Sequence, residues 1–315
     1  GIFSSFGDIN SDGVMDFLIT GNSGGAYVVF GSTSFGTSNS TISVTDPAHC
    51  MKIVGGDPVT DVASGDLDGD HYDEIVLSST GTVYVIRGTD SLPSLWDLRV
   101  SSANWTILAI DPGPATDETT PPRVQFAADI TGDGKADLGL EKNDQPFLVS
   151  GADIISKGPV SDLAPGHANS LTPTMFPVIT SRIGYWIMPQ DFDGDGRLDP
   201  CAWWKFNGGG YSISLILSHS FPAGPTLPNV FPPDSIQFKN AGDEIDAIMG
   251  DVNGDGYADV IVGAYQDDNN SSNSGSARVL SGKDGSILYT FNGDSASDSF
   301  GWSVSGAGDV NGDDY

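Results

Sequence analysis

Clusters of oxygen-bearing side chains recur along this chain with one fixed spacing. In Asp251–Asp259 such side chains occupy positions 1, 3, 5 and 9, and Gly256 occupies position 6. Alternate residues of a tight loop point to the same side, so these oxygens can converge on one point. Carboxylate and amide oxygens, together with a main-chain carbonyl at position 7, are the ligands that Ca²⁺ prefers. Glycine at position 6 permits the positive φ that curls the chain around an ion.

The opening of this pattern occurs six times, the last copy being cut short at Tyr315 with Asp314 at position 6, and we number the loops one to six along the chain. Their first residues are separated by 58 to 63 residues. The predicted metal ligands are Asp8, Asn10, Asp12 and Asp16 in loop one; Asp66, Asp68, Asp70 and Glu74 in loop two; Asp129, Thr131, Asp133 and Asp137 in loop three; Asp191, Asp193, Asp195 and Asp199 in loop four; Asp251, Asn253, Asp255 and Asp259 in loop five; and Asp309, Asn311 and Asp313 in loop six. Loop two has His71 at position 6, where it must adopt the conformation of a glycine. The sequence therefore predicts about five or six Ca²⁺ sites.

Two other interpretations of the loops fit the sequence less well. An EF-hand carries Glu at position 12, but these loops have uncharged residues there, within the apolar run that follows: Ile19, Leu77, Leu140, Ala202 and Val262. Simple turns also favour Asp, Asn and Gly. A turn needs one or two such residues, however, and not four oxygens at a fixed spacing in successive loops.

Short apolar runs flank every loop and must position it. Around loop five they are Ile245–Met249, Val260–Val262, Ala277–Leu280 and Ile287–Phe291. Such runs, bounded by Gly, Pro, Asn or Asp, indicate strands. Four short strands in a repeat of about 60 residues predict an all-β fold, a β-propeller with calcium loops between the first and second strands of its four-stranded blades. Sandwich modules of about 100 residues and β-helices with much shorter coils fit this period less well.

The expected organisation is a single propeller domain over residues 1–315. The predicted repeats are 1–58, 59–121, 122–182, 183–243 and 244–298, followed by the start of a sixth at 299–315. Because the first and last segments carry the same part of the repeat, we expect the protein to continue past Tyr315 as part of a six- or seven-bladed ring.

The charge of the chain excludes some classes of partner. It has 42 acidic and 13 basic residues, a formal net charge of −29, and 19 of the acids lie at predicted ligand positions. This excess disfavours nucleic acids and anionic membranes, and no apolar run reaches the ~18 residues of a membrane span. Cys50 and Cys201 can form one long-range disulfide or remain two buried thiols. Sequons at Asn39, Asn104, Asn269 and Asn270 agree with an exported glycoprotein.

Three segments resemble the FG-GAP repeats of the integrin α-subunit β-propeller family. Phe300–Tyr315 is similar to the Phe-Gly start that leads into a calcium loop, Asp251–Ala264 to the loop and its Gly-Ala end, and Ala26–Gly31 to the third strand. The resemblance implies a propeller with Ca²⁺ in loops between strands and a face that binds protein or glycan partners. The third repeat lacks a Phe-Gly start, and the chain has no Asp-x-Ser-x-Ser motif of an inserted adhesion domain.

The predicted function is that of a secreted or cell-surface calcium-binding module for adhesion, interaction or surface assembly. No catalytic residue is predicted. Gly21–Gly25 matches the nucleophile-elbow pattern Gly-x-Ser-x-Gly, but that motif requires a following helix, and a strand is predicted here. Two alternatives remain: the propeller body or accessory domain of a secreted enzyme (polysaccharide lyase, hydrolase or phospholipase), and a lectin in which Trp204 contacts the sugar.

Overall fold

The computed structural model describes residues 4–20, 25–33, 41, 43–54, 59–79, 82–99, 105–109, 123–142, 145–157, 160–162, 174–175, 184–206, 210–215, 236–239 and 248–304. Within this part of the chain the secondary structure consists of 22 strands and one short helix, α1 (Gly151–Lys157). The strands form five small sheets. The predicted all-β class is therefore confirmed.

The chain divides into two compact units. One comprises Gly1–Asn143, Phe147–Thr174 and Gly224–Leu227, and the other comprises Asp144–Pro146, Met175–Ala223 and Pro228–Tyr315. The first unit contains the bulk of three sheets and the second contains two. The expectation of one propeller domain, with the repeat boundaries given above, stays a prediction.

Strands of the first unit follow the predicted order of four per repeat. The first sheet contains β1 (Ser4–Gly7), β2 (Asp16–Thr20), β3 (Ala26–Val29) and β4 (Cys50–Val54), paired antiparallel in sequence order. The second contains β5 (Asp61–Gly65), β6 (Glu74–Ser79), β7 (Thr82–Ile86) and β9 (Trp105–Ala109). The third contains β10 (Arg123–Ala128), β11 (Asp137–Lys142), β12 (Gln145–Val149) and β14 (Thr174–Met175).

The second unit repeats this arrangement. One of its sheets contains β15 (Gly184–Gln190), β16 (Asp199–Phe206), β17 (Gly210–Leu215) and β18 (Ile236–Lys239). The other contains β19 (Ile248–Gly250), β20 (Asp259–Ala264), β21 (Ser276–Leu280) and β22 (Ile287–Asn292). Both are four-stranded antiparallel meanders, which is the arrangement of a propeller blade.

Two sheets carry a fifth strand that the sequence did not predict. β8 (Leu95–Asp97) pairs parallel with β4, and β13 (Val160–Asp162) pairs parallel with β9. Each lies in the connection between the third and fourth strands of one repeat and adds to the outer edge of the preceding repeat. Three residues are too few to show the period of a strand, which is why these two strands could not be predicted from residue patterns. Their effect is to pair a sheet edge that would otherwise be free.

Apolar clusters lie between successive sheets of the first unit. Ile75 and Leu77 of β6 join the cluster that contains Leu18 and Met51 of the first sheet. Val76, between them, joins the cluster that contains Leu138 of the third sheet. Successive side chains of a strand point to opposite faces, so β6 is buried on both sides and the second sheet packs between its two neighbours.

The two cysteines are both buried and neither forms a disulfide. Of the alternatives left by the sequence, the structure therefore shows two buried thiols. Among the described residues, no helix has the length and hydrophobicity needed to cross a membrane.

Candidate metal centre

The loops lie where the sequence predicts them, between the first and second strands of each sheet. Loop one joins β1 to β2, loop two β5 to β6, loop three β10 to β11, loop four β15 to β16 and loop five β19 to β20. The predicted ligands of loop six lie outside the described residues.

The first-position aspartate is fixed by main-chain amides in all five loops. The amide of position 6 donates to its Oδ2 at 2.9 Å in every case, from Gly13, His71, Gly134, Gly196 and Gly256. The amide of position 5 donates to its Oδ1 at 2.9 to 3.2 Å. The backbone thus orients the first carboxylate without help from any ion.

Positions 3 and 5 form short turns of their own. The Oδ1 atom of the aspartate at position 5 accepts the amide of position 7 at 2.8 to 3.1 Å in all five loops. In loops one, two, four and five the side-chain oxygen of position 3 accepts the amide of position 5 at 2.9 to 3.2 Å. These bonds hold the side chains of positions 3 and 5 close to the backbone of the loop.

Two positions of each loop have left-handed backbone. Position 6 has φ between 73° and 86°, and His71 adopts 73° although it carries a Cβ. Position 4 is also left-handed, with φ of 54° at Ser11 and 70° to 81° at Gly69, Gly132, Gly194 and Gly254. Position 4 was not predicted to need left-handed backbone, although glycine occupies it in four of the five loops.

The ninth-position acid is buried and connects two parts of its own sheet. Asp16, Glu74, Asp137, Asp199 and Asp259 are all at most 1% exposed. Each accepts the amide of position 2 at 2.7 to 3.1 Å. In loops one, two, three and five the second oxygen accepts the amide of a glycine beyond the third strand, at 2.8 to 3.4 Å: Gly31, Gly88, Gly151 and Gly282. This acid therefore joins the start of the loop to the end of the third strand.

Burial makes the ionised form of these ninth-position acids costly. It raises the pKa of Glu74 to about 8 and that of Asp137 to about 7, although main-chain amides oppose the rise. Burial also raises the pKa of Asp16 and of Asp259. A cation beside such a carboxylate offsets the lost solvation and favours ionisation. These sites therefore have the electrostatics of cation sites.

Carboxylates converge most clearly in loops two and four. Asp66, Asp68 and Asp70 bring oxygens within 4.8 Å of one another, as do Asp191, Asp193 and Asp199. Loops one, three and five have an uncharged residue at position 3 and show no such group of three. A donor set made only of oxygen suits a hard cation such as Ca²⁺. The residues present fit the ion, and the assignment of individual ligands stays a prediction.

Neighbouring loops within a unit are bonded to each other. The amide at position 8 donates to a carbonyl at position 1 or 2 of the loop in the preceding repeat: from Asp73 to Asp8 at 3.1 Å, from Ala136 to Asp66 at 2.6 Å and from Ala258 to Phe192 at 3.1 Å. The loops therefore form rows, loops one to three in the first unit and loops four and five in the second.

Asp73, at position 8 of loop two, is a residue that sequence reasoning missed. Its Oδ2 accepts the amide of Asp8 at 2.8 Å. A Cβ added to Gly7 would lie 2.6 Å from that Oδ2, so only glycine fits there. The available signal was that loops one, three, four and five have an uncharged residue at position 8.

The segment that contains loop five matches a known family of repeats. Residues 248–280, which comprise β19, loop five, β20 and β21, match the family model of the FG-GAP repeat. Residues 248–280 are an FG-GAP repeat. The resemblance inferred from the sequence is thereby confirmed for this segment, and loops one to four share the hydrogen bonds that orient its first-position aspartate.

Several solved structures resemble the fold over most of the chain. A lectin from Agrocybe aegerita that recognises non-reducing terminal N-acetylglucosamine is 14% identical, with a TM-score of 0.47, and the alignment covers 92% of this chain and 65% of that one. BBS1N, solved in complex with ARL6DN, is 10% identical with a TM-score of 0.48, covering 91% of this chain and 68% of that one. The Tc holotoxin pore of Photorhabdus luminescens is 19% identical with a TM-score of 0.35, covering 83% of this chain and 11% of that one.

These alignments do not determine a ligand or an activity for this chain, since all three TM-scores are below 0.5. The chain spans about two thirds of the length of the lectin and of BBS1N, and a small part of the toxin. No curated protein sequence matches the chain.

Proposed function

We propose that this chain is a calcium-binding β-propeller segment of FG-GAP repeats that acts outside the cell as an adhesion, interaction or surface-assembly module. One observation carries the proposal. Five successive loops share the same hydrogen-bond frame, in which amides orient the first carboxylate and the ninth is buried. Such a frame suits a cation that is held for structure, because the ligand oxygens are placed before the ion arrives.

The bound Ca²⁺ would supply positive charge to a group of carboxylates that repel one another. The chain's own residues hold each loop in its conformation. The ninth acid holds the loop on its sheet, the first acid closes the turn, and the amides of position 8 join neighbouring loops within each unit. At free Ca²⁺ about 100-fold above Kd, each independent site would add about 2.7 kcal/mol to the free energy of unfolding.

The proposed architecture is a ring in which each repeat forms one blade. The packing of the second sheet between the first and third supports it, since blades bury their faces against their neighbours. Extracellular action agrees with the acidic composition and with the millimolar Ca²⁺ available to extracellular calcium modules.

The proposed partner is a protein or a glycan. A pair of aromatic side chains, Tyr265 in the fifth repeat and Trp302 in the start of the sixth, supports a glycan in particular. Trp302 is 63% exposed, and its ring lies 4.4 Å from that of Tyr265 in an edge-to-face arrangement. Aromatic faces of this kind stack on sugar rings. The test is binding to a glycan array, which Trp302→Ala should abolish if this surface is the site.

The enzyme alternative has no support in the described residues, where the convergent acids belong to the calcium-type loops. The lectin alternative that rested on Trp204 remains untested, because the side chain of that residue is not among those described.

The calcium proposal is tested by thermal unfolding with and without a chelator. We expect chelation to lower Tm by at least about 10 °C, given several sites and about 2 to 4 °C for each kcal/mol in a protein of this size. Replacing Ca²⁺ with Mg²⁺ should restore little of the loss, since Mg²⁺ demands a smaller octahedral shell. A melting curve that chelation leaves unchanged would refute the proposal.

A further inference from the structure

We propose that Asp73 couples cation binding in loop one to cation binding in loop two, so that the two loops fill cooperatively. This inference rests on the proposed calcium function and concerns how its sites are regulated. Asp73 itself is at none of the predicted ligand positions. It acts as a positioning residue for two ligands that belong to different repeats.

The carboxylate of Asp73 reaches from loop two to loop one. Its Oδ2 accepts the amide of Asp8, the first predicted ligand of loop one, at 2.8 Å. Asp73 itself directly precedes Glu74, the ninth-position predicted ligand of loop two. Any shift of either main chain that accompanies binding therefore changes a hydrogen bond on which the other loop also depends.

Two further main-chain hydrogen bonds join loop one to the second repeat. The amide of Asp73 donates back to the Asp8 carbonyl at 3.1 Å, and the amide of Thr89 donates to the Ile9 carbonyl at 3.2 Å. The two segments are closely packed, because a Cβ built on Gly88 would lie only 2.9 Å from the same Ile9 carbonyl oxygen. Loop one is thus held against the second sheet at two consecutive residues.

The next joint along the row lacks this carboxylate and serves as an internal comparison. Between loops two and three the position-8 residue is Ala136, which contributes its amide to Asp66 but has no side-chain acceptor. The backbone contact is therefore common to both joints, and the carboxylate bridge belongs to the joint of loops one and two.

Terbium luminescence can report on loop two alone. Tb³⁺ replaces Ca²⁺ at oxygen sites and is excited through a nearby aromatic ring. Among the six loops, only loops two, five and six have an aromatic residue at position 7: Tyr72, Tyr257 and Tyr315. In a background of the full chain that carries Tyr257→Leu and Tyr315→Leu, tyrosine-sensitised luminescence therefore follows loop two. Asp12→Asn then weakens loop one without changing the length of its side chain.

The expected result is a dependence of loop two on loop one that requires Asp73. With Asp73 present, Asp12→Asn should raise the Tb³⁺ concentration for half-saturation of loop two at least about fivefold, the lower end of typical coupling between sites. With Asp73→Ala the same change should shift it less than about twofold, the signature of lost coupling in a double-mutant cycle. Asp294→Ala, which removes an exposed acid from the fifth repeat, is the charge-matched control and should preserve the full shift.

Two outcomes would overturn the inference alone: no shift on Asp12→Asn when Asp73 is present, or an equal shift when it is absent. A folded protein with no sensitised luminescence at all would instead refute the calcium sites, and this inference with them. Circular dichroism checks folding. If Asp73→Ala does not fold, Asp73→Ser replaces it, because a serine hydroxyl is too short to reach the amide of Asp8 and should abolish the coupling as well.

Discussion

Loops two and five reach the same backbone conformation with different residues. At position 6, His71 has φ of 73° and Gly256 has φ of 85°. The amide of each donates to the first aspartate at 2.9 Å. Glycine makes this conformation easy, but the hydrogen bonds to the first carboxylate impose it. The comparison shows that the frame of the loop, and not the glycine alone, determines its shape.

The two loops also differ in the acid at their ninth position. Glu74 is one methylene longer than Asp259, and it holds the amide of position 2 at 2.7 Å and that of the distal glycine at 3.4 Å. Asp259 holds both amides at 3.1 Å. The longer side chain reaches the same two amides, one closely and one loosely. Both loops therefore depend on one buried carboxylate.

The largest expected effect comes from removing that carboxylate. Glu74→Ala leaves two buried amides without their acceptor, and Asp259→Ala leaves one buried and one part-buried amide. Each change should lower the free energy of unfolding by about 2 to 5 kcal/mol, with the larger loss for Glu74→Ala. Urea unfolding in the presence of chelator measures this without any contribution from the ion. Asn253→Ala, at the exposed third position of loop five, is the control and should change stability by less than about 0.5 kcal/mol under the same conditions. Equal losses for Asn253→Ala and Asp259→Ala would show that the ninth acid has no special role.

The next effect is a dependence on pH that appears only without the ion. Burial raises the pKa of Glu74 from 4.5 to about 8 and that of Asp137 from 3.8 to about 7, so the folded state binds these protons more tightly than the unfolded state. Their contribution to stability is complete below about pH 4 and is lost as the pH rises through 7 and 8. In chelator, the free energy of unfolding should fall by about 1 to 3 kcal/mol between pH 5 and pH 8. Glu74→Gln should flatten this slope, and saturating Ca²⁺ should remove it; a stability that rises over this range in chelator would contradict the expectation.

A smaller effect is expected from exchanging the position-6 residues. His71→Gly should stabilise the protein by about 1 kcal/mol, because a residue with a Cβ strains in left-handed backbone. Gly256→His should destabilise it by a similar amount. Space around Gly256 is not the cause, since an added Cβ there meets nothing within 4 Å. Thermal melts of the two variants measure these changes. The expectation holds only if Tm rises for His71→Gly and falls for Gly256→His.

The smallest effect concerns the basic residue near loop two. A guanidinium nitrogen of Arg87 lies 3.7 Å from Asp68 Oδ2, where it competes with a cation. The side chain is half exposed, so the interaction is worth under about 1 kcal/mol. Arg87→Ala should tighten Tb³⁺ binding at loop two by up to about fivefold. In loop five, Lys283 lies 4.9 Å from the Tyr257 ring instead of beside a carboxylate, so Lys283→Ala should change binding less. Weaker binding after Arg87→Ala would show that the arginine supports the site.

Much of the fold and of the candidate site could be predicted from residue type and spacing. The recurrence of the loops and their place between two strands both follow from residue type and spacing along the chain. β8 and β13 could not be predicted, because three residues carry no period and their pairing partners belong to the preceding repeat. Asp73 was also missed, since its role depends on an amide in another repeat.

The sequence by itself determined which atoms each loop offers and how far apart they lie along the chain. Only the tertiary structure decided which loops touch. Leu67 is fully buried whereas Val252, at the same position of loop five, is 46% exposed. Loop two is covered by the third repeat through the amide of Ala136 and the close approach of Gly151. Spacing fixes a ligand set because its residues are neighbours in the chain, but burial and coupling arise between repeats about 60 residues apart, where sequence patterns carry no information on contact.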